Sequence, residues 1–263
     1  MNPILKCDIY FSCSDNQVCW HGRCVSDVDQ FDAYLRGPVH QRLFDVEHAA
    51  EFEADMRAVA TTGMAQDTIE QLLATYSNKE PWEVGEALAE CLLLDQHGMI
   101  LPWNTERDKR TPKASLPGAD LVGFIIDGQG ARLAFGEVKT SNDAATPPNV
   151  LYGKGGMINQ LDRLVENMEI HHCLLRWLHP RCKSTDVWSI YKQAAARYLE
   201  SGGRDIALFG LLMRDTEPYE LDVRNRALDL SAHVSTPTNV ELMAWYFPCP
   251  IVEWPSRTTG GSQ

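Results

Sequence analysis

The chain has 263 residues and a formal net charge of −12. That acidity excludes a protein that grips nucleic acid by bulk electrostatics, because phosphate contacts need a basic surface. An apolar share of 44% supports a sizeable core. No run of about 18 apolar residues offers a membrane span, and the opening MNPILKCDIYFSCSD lacks the apolar segment of a secretory signal, so a cytoplasmic protein with no membrane partner is expected.

Residues 1–25 hold four of the eight cysteines, Cys7, Cys13, Cys19 and Cys24, with His21 among them. Thiolate and imidazole are zinc ligands, so a structural Zn²⁺ is one reading. No Cys-x-x-Cys pair is present, and the other reading is a β-rich segment with free thiols. Cys91 and Cys173 fall in helical patterns and are expected as small core residues. Residues 26–78 read as acidic helices over 27–34, 46–59 and 67–76, broken at Gly37-Pro38 and Thr61-Thr62-Gly63. Their charge suits a solvated or protein-docking face. Residues 1–78 are thus expected as an extension, followed by a core domain over 79–255 and a disordered tail over 256–263.

Residues 81–97 form the best-defined helix, with Pro81 in its first turn and Gly98 at its end. Periodicity gathers Trp82, Gly85, Glu86, Ala89, Leu92, Leu93 and Gln96 on one face. Glu86 is then a carboxylate inside an apolar stripe, with Glu90, one turn on, as the alternative. Residues 99–119 make a loop-rich connection in which Met99-Ile100-Leu101 is a candidate short strand. Arg107, Lys109, Arg110 and Lys113 cluster there, placed either to meet phosphates or simply to face solvent.

Two apolar runs, 121–126 and 131–138, flank Asp127-Gly128-Gln129-Gly130. Asp-Gly between β-prone runs signals a hairpin, here with a four-residue connection. Both runs read as buried central strands. Asp120 opens the first. Glu137 and Lys139 close the second and share one face, because side chains alternate along a strand. Pairing around the loop brings two carboxylates and an ammonium to one end. Two carboxylate oxygens, a backbone carbonyl and waters suit Mg²⁺ or Mn²⁺, and a lysine beside them can hold water or stabilise charge on a phosphate. On a merely solvated strand, Glu-x-Lys is only an ion pair.

Residues 140–156 are turn-rich, either a flap with Lys154 in reach of a phosphate or an inert linker. Residues 157–178 read as one helix with Ile158, Leu161, Leu164, Val165 and Met168 on its apolar face and Gln160 near its start. His171-His172 are adjacent, point in different directions and do not chelate as a pair. A helix over 186–199 and strands over 206–213 and 240–247 complete the chain.

Asp120 followed by Glu137-Val138-Lys139 resembles the PD-(D/E)xK nuclease superfamily. The proline of that pattern stands here at Pro117 rather than directly before Asp120. The resemblance covers residues 81–213. It implies an α/β fold of restriction-endonuclease-like type, a central mixed sheet flanked by helices. It also implies metal-dependent hydrolysis of DNA phosphodiesters. Asp120 and Glu137 would hold Mg²⁺ or Mn²⁺, with Glu86 as a further ligand from the preceding helix. Lys139 would orient or activate the attacking water, and Gln160 would lie near the centre. The LLLDQHG helix end, the basic connection, GAD and GEVK are also similar to the nuclease subunit of Hachiman-type anti-phage systems, a family that pairs the nuclease with a helicase. Such a partner would bring DNA to an acidic nuclease. The competing class is a non-catalytic binding or adaptor module on the same fold.

Overall fold

The computed structural model describes residues 4–74, 79–109 and 118–260. In chain order these form β1 (Asp8–Asp15), β2 (Val18–Cys24), α1 (Val28–Tyr34), α2 (His40–Leu43), α3 (Val46–Val59), α4 (Gly63–Ala74), α5 (Pro81–His97), β3 (Leu121–Asp127), β4 (Gly130–Ser141), α6 (Met157–Glu166), α7 (Met168–Cys182), α8 (Trp188–Glu200), β5 (Ile206–Arg214), α9 (Arg224–Ser231), β6 (Asn239–Tyr246) and α10 (Trp254–Thr258). The fold is α/β: one six-stranded mixed sheet in the order β1-β2-β6-β5-β4-β3, flanked by helices. β2, β6, β5 and β4 run parallel, and the outer strands β1 and β3 are antiparallel to their neighbours.

Alternation along the strands builds two cores. Ala134, Val138, Phe209, Leu211, Met243 and Trp245 face α1 and α5, while Leu133, Phe135, Leu208, Leu212 and Leu242 face α6, α7 and α8. β5 is buried along its whole length, as a central parallel strand should be. β3 differs from expectation: it is an edge strand, and Ile126 is exposed. Backbone hydrogen bonds exchanged between Ile100 and Phe124 cover part of that edge.

The N-terminal segment is not set apart from the core. β1 and β2 form a hairpin, β2 lies beside β6, and Leu5, Val25, Phe31, Tyr34, Leu35 and Leu43 pack with Leu88 and Leu92 of α5. Within the expected extension, α3 stands apart, with none of its residues buried. The helix expected over 67–76 begins earlier, at Gly63, and Tyr76 lies outside the described residues. The expected tail over 256–263 is partly ordered. Ser256 to Thr258 belong to α10, Thr258 is buried, and Arg257 is paired to Asp32 and Glu253. The helix expected over 157–178 is two helices. Asn167 leaves helical backbone, and its side chain accepts from the Glu169 N–H to cap α7. Met168 and Cys173 are exposed rather than in the core. Among the described residues no helix is long and apolar enough to cross a membrane.

α5 keeps its expected bounds. Glu80 and Glu83 form a capping box, Pro81 sits in the first turn, and Gly98 takes a left-handed conformation at φ 58°. It is buried nearly all round, with Val84 and Leu88 as deep as Ala89 and Leu92, because the sheet and the N-terminal helices enclose it. Gly85 lets it seat on the end of β4: a Cβ there would fall 1.9 Å from Thr140 Oγ1. Gly85→Ala should therefore destabilise the protein by about 1–3 kcal/mol despite its better helix propensity. Adding Thr140→Ala should recover part of that loss in a double-mutant thermal-melting cycle.

Candidate active site

The β3–β4 hairpin positions the first three side chains. The strands pair from Leu121↔Gly136 through Asp127↔Gly130 around Gly128-Gln129, a tighter turn than the expected four-residue connection. Asp127 stabilises the turn by accepting from the Gln129 N–H at 2.8 Å, and Gly130 takes φ 107°. One further step of the register sets Asp120 opposite Glu137. Asp120 Oδ2 accepts from the Val138 N–H at 2.9 Å, so its carboxylate is pinned to the backbone between Glu137 and Lys139. The Asp120 and Glu137 carboxyls lie within hydrogen-bonding reach of each other. Lys139 Nζ donates to Glu137 Oε1 at 2.5 Å. Glu137 is only 1% exposed, whereas Lys139 keeps partial contact with solvent.

Glu86 joins them from α5. Burial, and then repulsion from Asp120, Glu90 and Glu137, raises its carboxyl to about 8; Lys109 opposes the shift. Burial and Asp120 raise Glu137 likewise to about 8, against the pull of Lys139. Glu86 and Glu137 thus each feel Asp120, and Glu86 feels Glu137 as well. The alternative ligand, Glu90, is occupied differently: its carboxylate is bonded to Arg42. Glu86 also lines a shallow cleft together with Arg42, Glu90, Asn104 and Lys109.

Gln160 lies in the first turn of α6, which packs on β4 and β5. Its Oε1 is buried and lacks a hydrogen-bond partner. The expected phosphate-contacting cations are differently placed. Arg107 binds Asp45, with Nη2 2.8 Å from Oδ1, and Lys109 is held by Glu83 at 2.6 Å and Glu106 at 3.0 Å. Both are therefore engaged by carboxylates of their own chain. Arg110 and Lys113 lie outside the described residues. Lys154 is exposed between Gly153 and Gly155. The stretch before it is anchored rather than a free flap: Arg214 donates to the Asp143 and Ala145 carbonyls, and Leu151 is buried.

The four N-terminal thiols are free and do not converge. Cys7 packs with the α5-side core and Cys24 with the other; Cys13 approaches Glu220 at 3.7 Å, while Cys19 lies within the field of Glu241. A zinc site of these four is overturned by strand alternation, which divides them between two faces. Arg42 and Lys79 escaped the sequence reading. Arg42 removes Glu90 from the carboxylate group, and Lys79 bonds Glu106 at 2.8 Å. Their partners lie far along the chain, and no local pattern marks them.

No family model, curated protein or solved structure matches this chain significantly. Among the described residues, no group of three or more His, Cys, Asp or Glu side chains is placed so that it could hold a metal ion. The donor type, though not a closed geometry, is the one a hard divalent cation takes. Glu86, Asp120 and Glu137 lie in mutual electrostatic reach and offer oxygen alone.

The raised carboxyls have a stability consequence. Folded-state values near 8, against an ordinary 4.5, mean that the native state holds protons which the unfolded chain has released. Their contribution is fully present below the unfolded value and is lost as pH rises through the folded one. Between about pH 5 and pH 8, metal-free wild type should therefore lose more thermal stability than Glu86→Gln or Glu137→Gln. Melting temperatures across that range, with chelator present, check this.

Proposed function

We propose that the chain is a metal-dependent nuclease of the PD-(D/E)xK type that hydrolyses DNA phosphodiester bonds. The observation that supports this most strongly is the joining of Asp120, Glu137 and Lys139 at one end of the β3–β4 hairpin, with Glu86 brought in by α5. Asp120, Glu137 and Glu86 would hold Mg²⁺ or Mn²⁺. Such an ion, when bound, acidifies water and neutralises charge on a phosphate.

The side chains divide the remaining work. The Val138 N–H fixes the direction of Asp120. Lys139 is paired with Glu137 and only partly exposed, which suits an ammonium that orients water and faces the charge developing on the phosphoryl group. Engagement of Glu137 by a cation would loosen its claim on Lys139 and free donors for substrate. The chain's own cations grip DNA weakly: the net charge is −12, and Arg107 and Lys109 are occupied. A protein partner, such as a helicase in an anti-phage system, would supply DNA to such a site.

The test is cleavage of linear, circular and single-stranded DNA with Mg²⁺ or Mn²⁺, with and without any co-purifying partner. Lys139→Ala should lower the rate by at least about 100-fold while circular dichroism stays native. Equal activity in both proteins would refute the catalytic assignment. Cation binding without cleavage of any DNA form would assign the chain to the binding-module class instead.

A further inference from the structure

Residues 170–185 contain no Asp or Glu, although the chain has 36. They make up most of α7 and the turn after it. His172, Arg176 and His179 stand at i, i+4 and i+7, so they share one face of the helix, and Lys183 follows at its end. All of them are exposed. The i±3 and i±4 neighbours of Arg176 are His172, Cys173, His179 and Pro180, so its own helix offers it no carboxylate. Among the described residues, neither Arg176 nor Lys183 enters an ion pair. The solvated face of α3, by contrast, displays Glu47, Glu51 and Asp55.

Aromatic rings border this face on both flanks. On one, the Arg181 guanidinium lies over Trp177 at 4.1 Å and over Trp103 at 5.0 Å, and Arg107 lies over Trp103 at 5.2 Å. On the other, His179 stands edge-on to Trp188 and Tyr191 of α8, at 5.4 and 5.8 Å. Those two rings stack with planes 9° apart, and Lys192 lies over Trp188 at 5.7 Å. Trp103, Trp177, Trp188 and Tyr191 are all half-buried, so each is held by packing and keeps an open part. Held rings interleaved with exposed cations suit unpaired bases and their phosphates together. The rings stack on bases of any sequence, and the cations follow the backbone.

We propose that the outer face of α7, with these rings, is a track for single-stranded DNA that leads to the Asp120–Glu137–Lys139 group. Two contacts set its direction. Asp108 accepts from Trp177 Nε1 at 2.7 Å and from Arg181 Nη2 at 2.6 Å, and the next residue, Lys109, lines the cleft that holds Glu86. Gly118 sits against Leu174 of α7, where a Cβ would fall 3.1 Å from Cδ2, and Asp120 follows two residues later. α7 thus adjoins both the segment that reaches Glu86 and the segment that delivers Asp120. A duplex hides its bases from such rings. An acidic protein segment meets the charge but leaves the rings without flat faces to stack on. Single-stranded DNA satisfies both halves of the surface. The inference deepens the nuclease reading and rests on it for what the strand meets at the end of the track.

The test is binding of a fluorescein-labelled oligo-dT of about 20 nucleotides to the full-length protein in chelator, read by anisotropy. The strand should bind more tightly than a duplex of the same length and quench tryptophan fluorescence. Its log affinity should fall with log salt at a slope of about −2, as contacts from Arg176, Lys183 and Lys192 require. Arg176→Glu combined with Lys183→Glu changes only exposed positions, so circular dichroism should stay native. That variant should bind the strand at least about tenfold more weakly and, where DNA is cleaved, show a raised KM with kcat unchanged. No binding of oligo-dT, binding indifferent to the double reversal, or a preference for duplex would overturn the track, whether or not DNA is cleaved. Polyglutamate bound as tightly as oligo-dT would assign the face to an acidic protein partner and overturn it as well. Binding lost in the double variant, with no cleavage by either protein in Mg²⁺ or Mn²⁺, would support the surface and refute the nuclease reading alone.

Discussion

The hydrogen bond from the Val138 N–H to Asp120 is the contact on which the candidate site depends. It exists because a tight turn at Gly128-Gln129 sets the register of β3 against β4. A slip by one residue would send Glu137 and Lys139 to the other face and leave Asp120 without its partner. β4 can carry these polar ends because its middle is central in the sheet, with Leu133, Ala134 and Phe135 fully buried on both sides. The hairpin thus couples a stable interior to a charged rim within a few residues.

α5 supplies the second constraint. Gly85 allows close approach to Thr140, and that approach brings Glu86 into the field of Asp120 and Glu137. Three carboxylates gathered in a partly desolvated place repel one another, and the chain compensates only in part. Arg42 removes Glu90 from the group, and Lys139 offsets Glu137. What remains is an arrangement that a cation or a proton would stabilise.

The locally encoded parts of this arrangement were legible in the sequence. The turn between two apolar runs marked the β3–β4 hairpin, and Pro81 and Gly98 marked both ends of α5. The apolar run at 206–213 marked β5. Features that depend on distant pairing were not legible. Nothing in residues 18–24 announces β6 as a neighbour more than 200 positions away, so the N-terminal hairpin read as an extension. The break between α6 and α7 was hidden because the helical period runs through Asn167, whose capping role appears only once the backbone departs from the helix. Arg107 and Lys109 read as free cations because their carboxylate partners, Asp45 and Glu83, come from other elements.

Proton release on Mg²⁺ binding tests the account of the carboxylate group most directly. Calorimetric titration at neutral pH, in buffers of different ionisation enthalpy, measures how many protons leave as the cation enters. If Glu86, Asp120 and Glu137 receive it together, binding should release protons held by the raised carboxyls, and Glu137→Gln should abolish or sharply reduce both the binding and the release. Mg²⁺ binding without proton release, or binding indifferent to Glu137→Gln, would contradict the account.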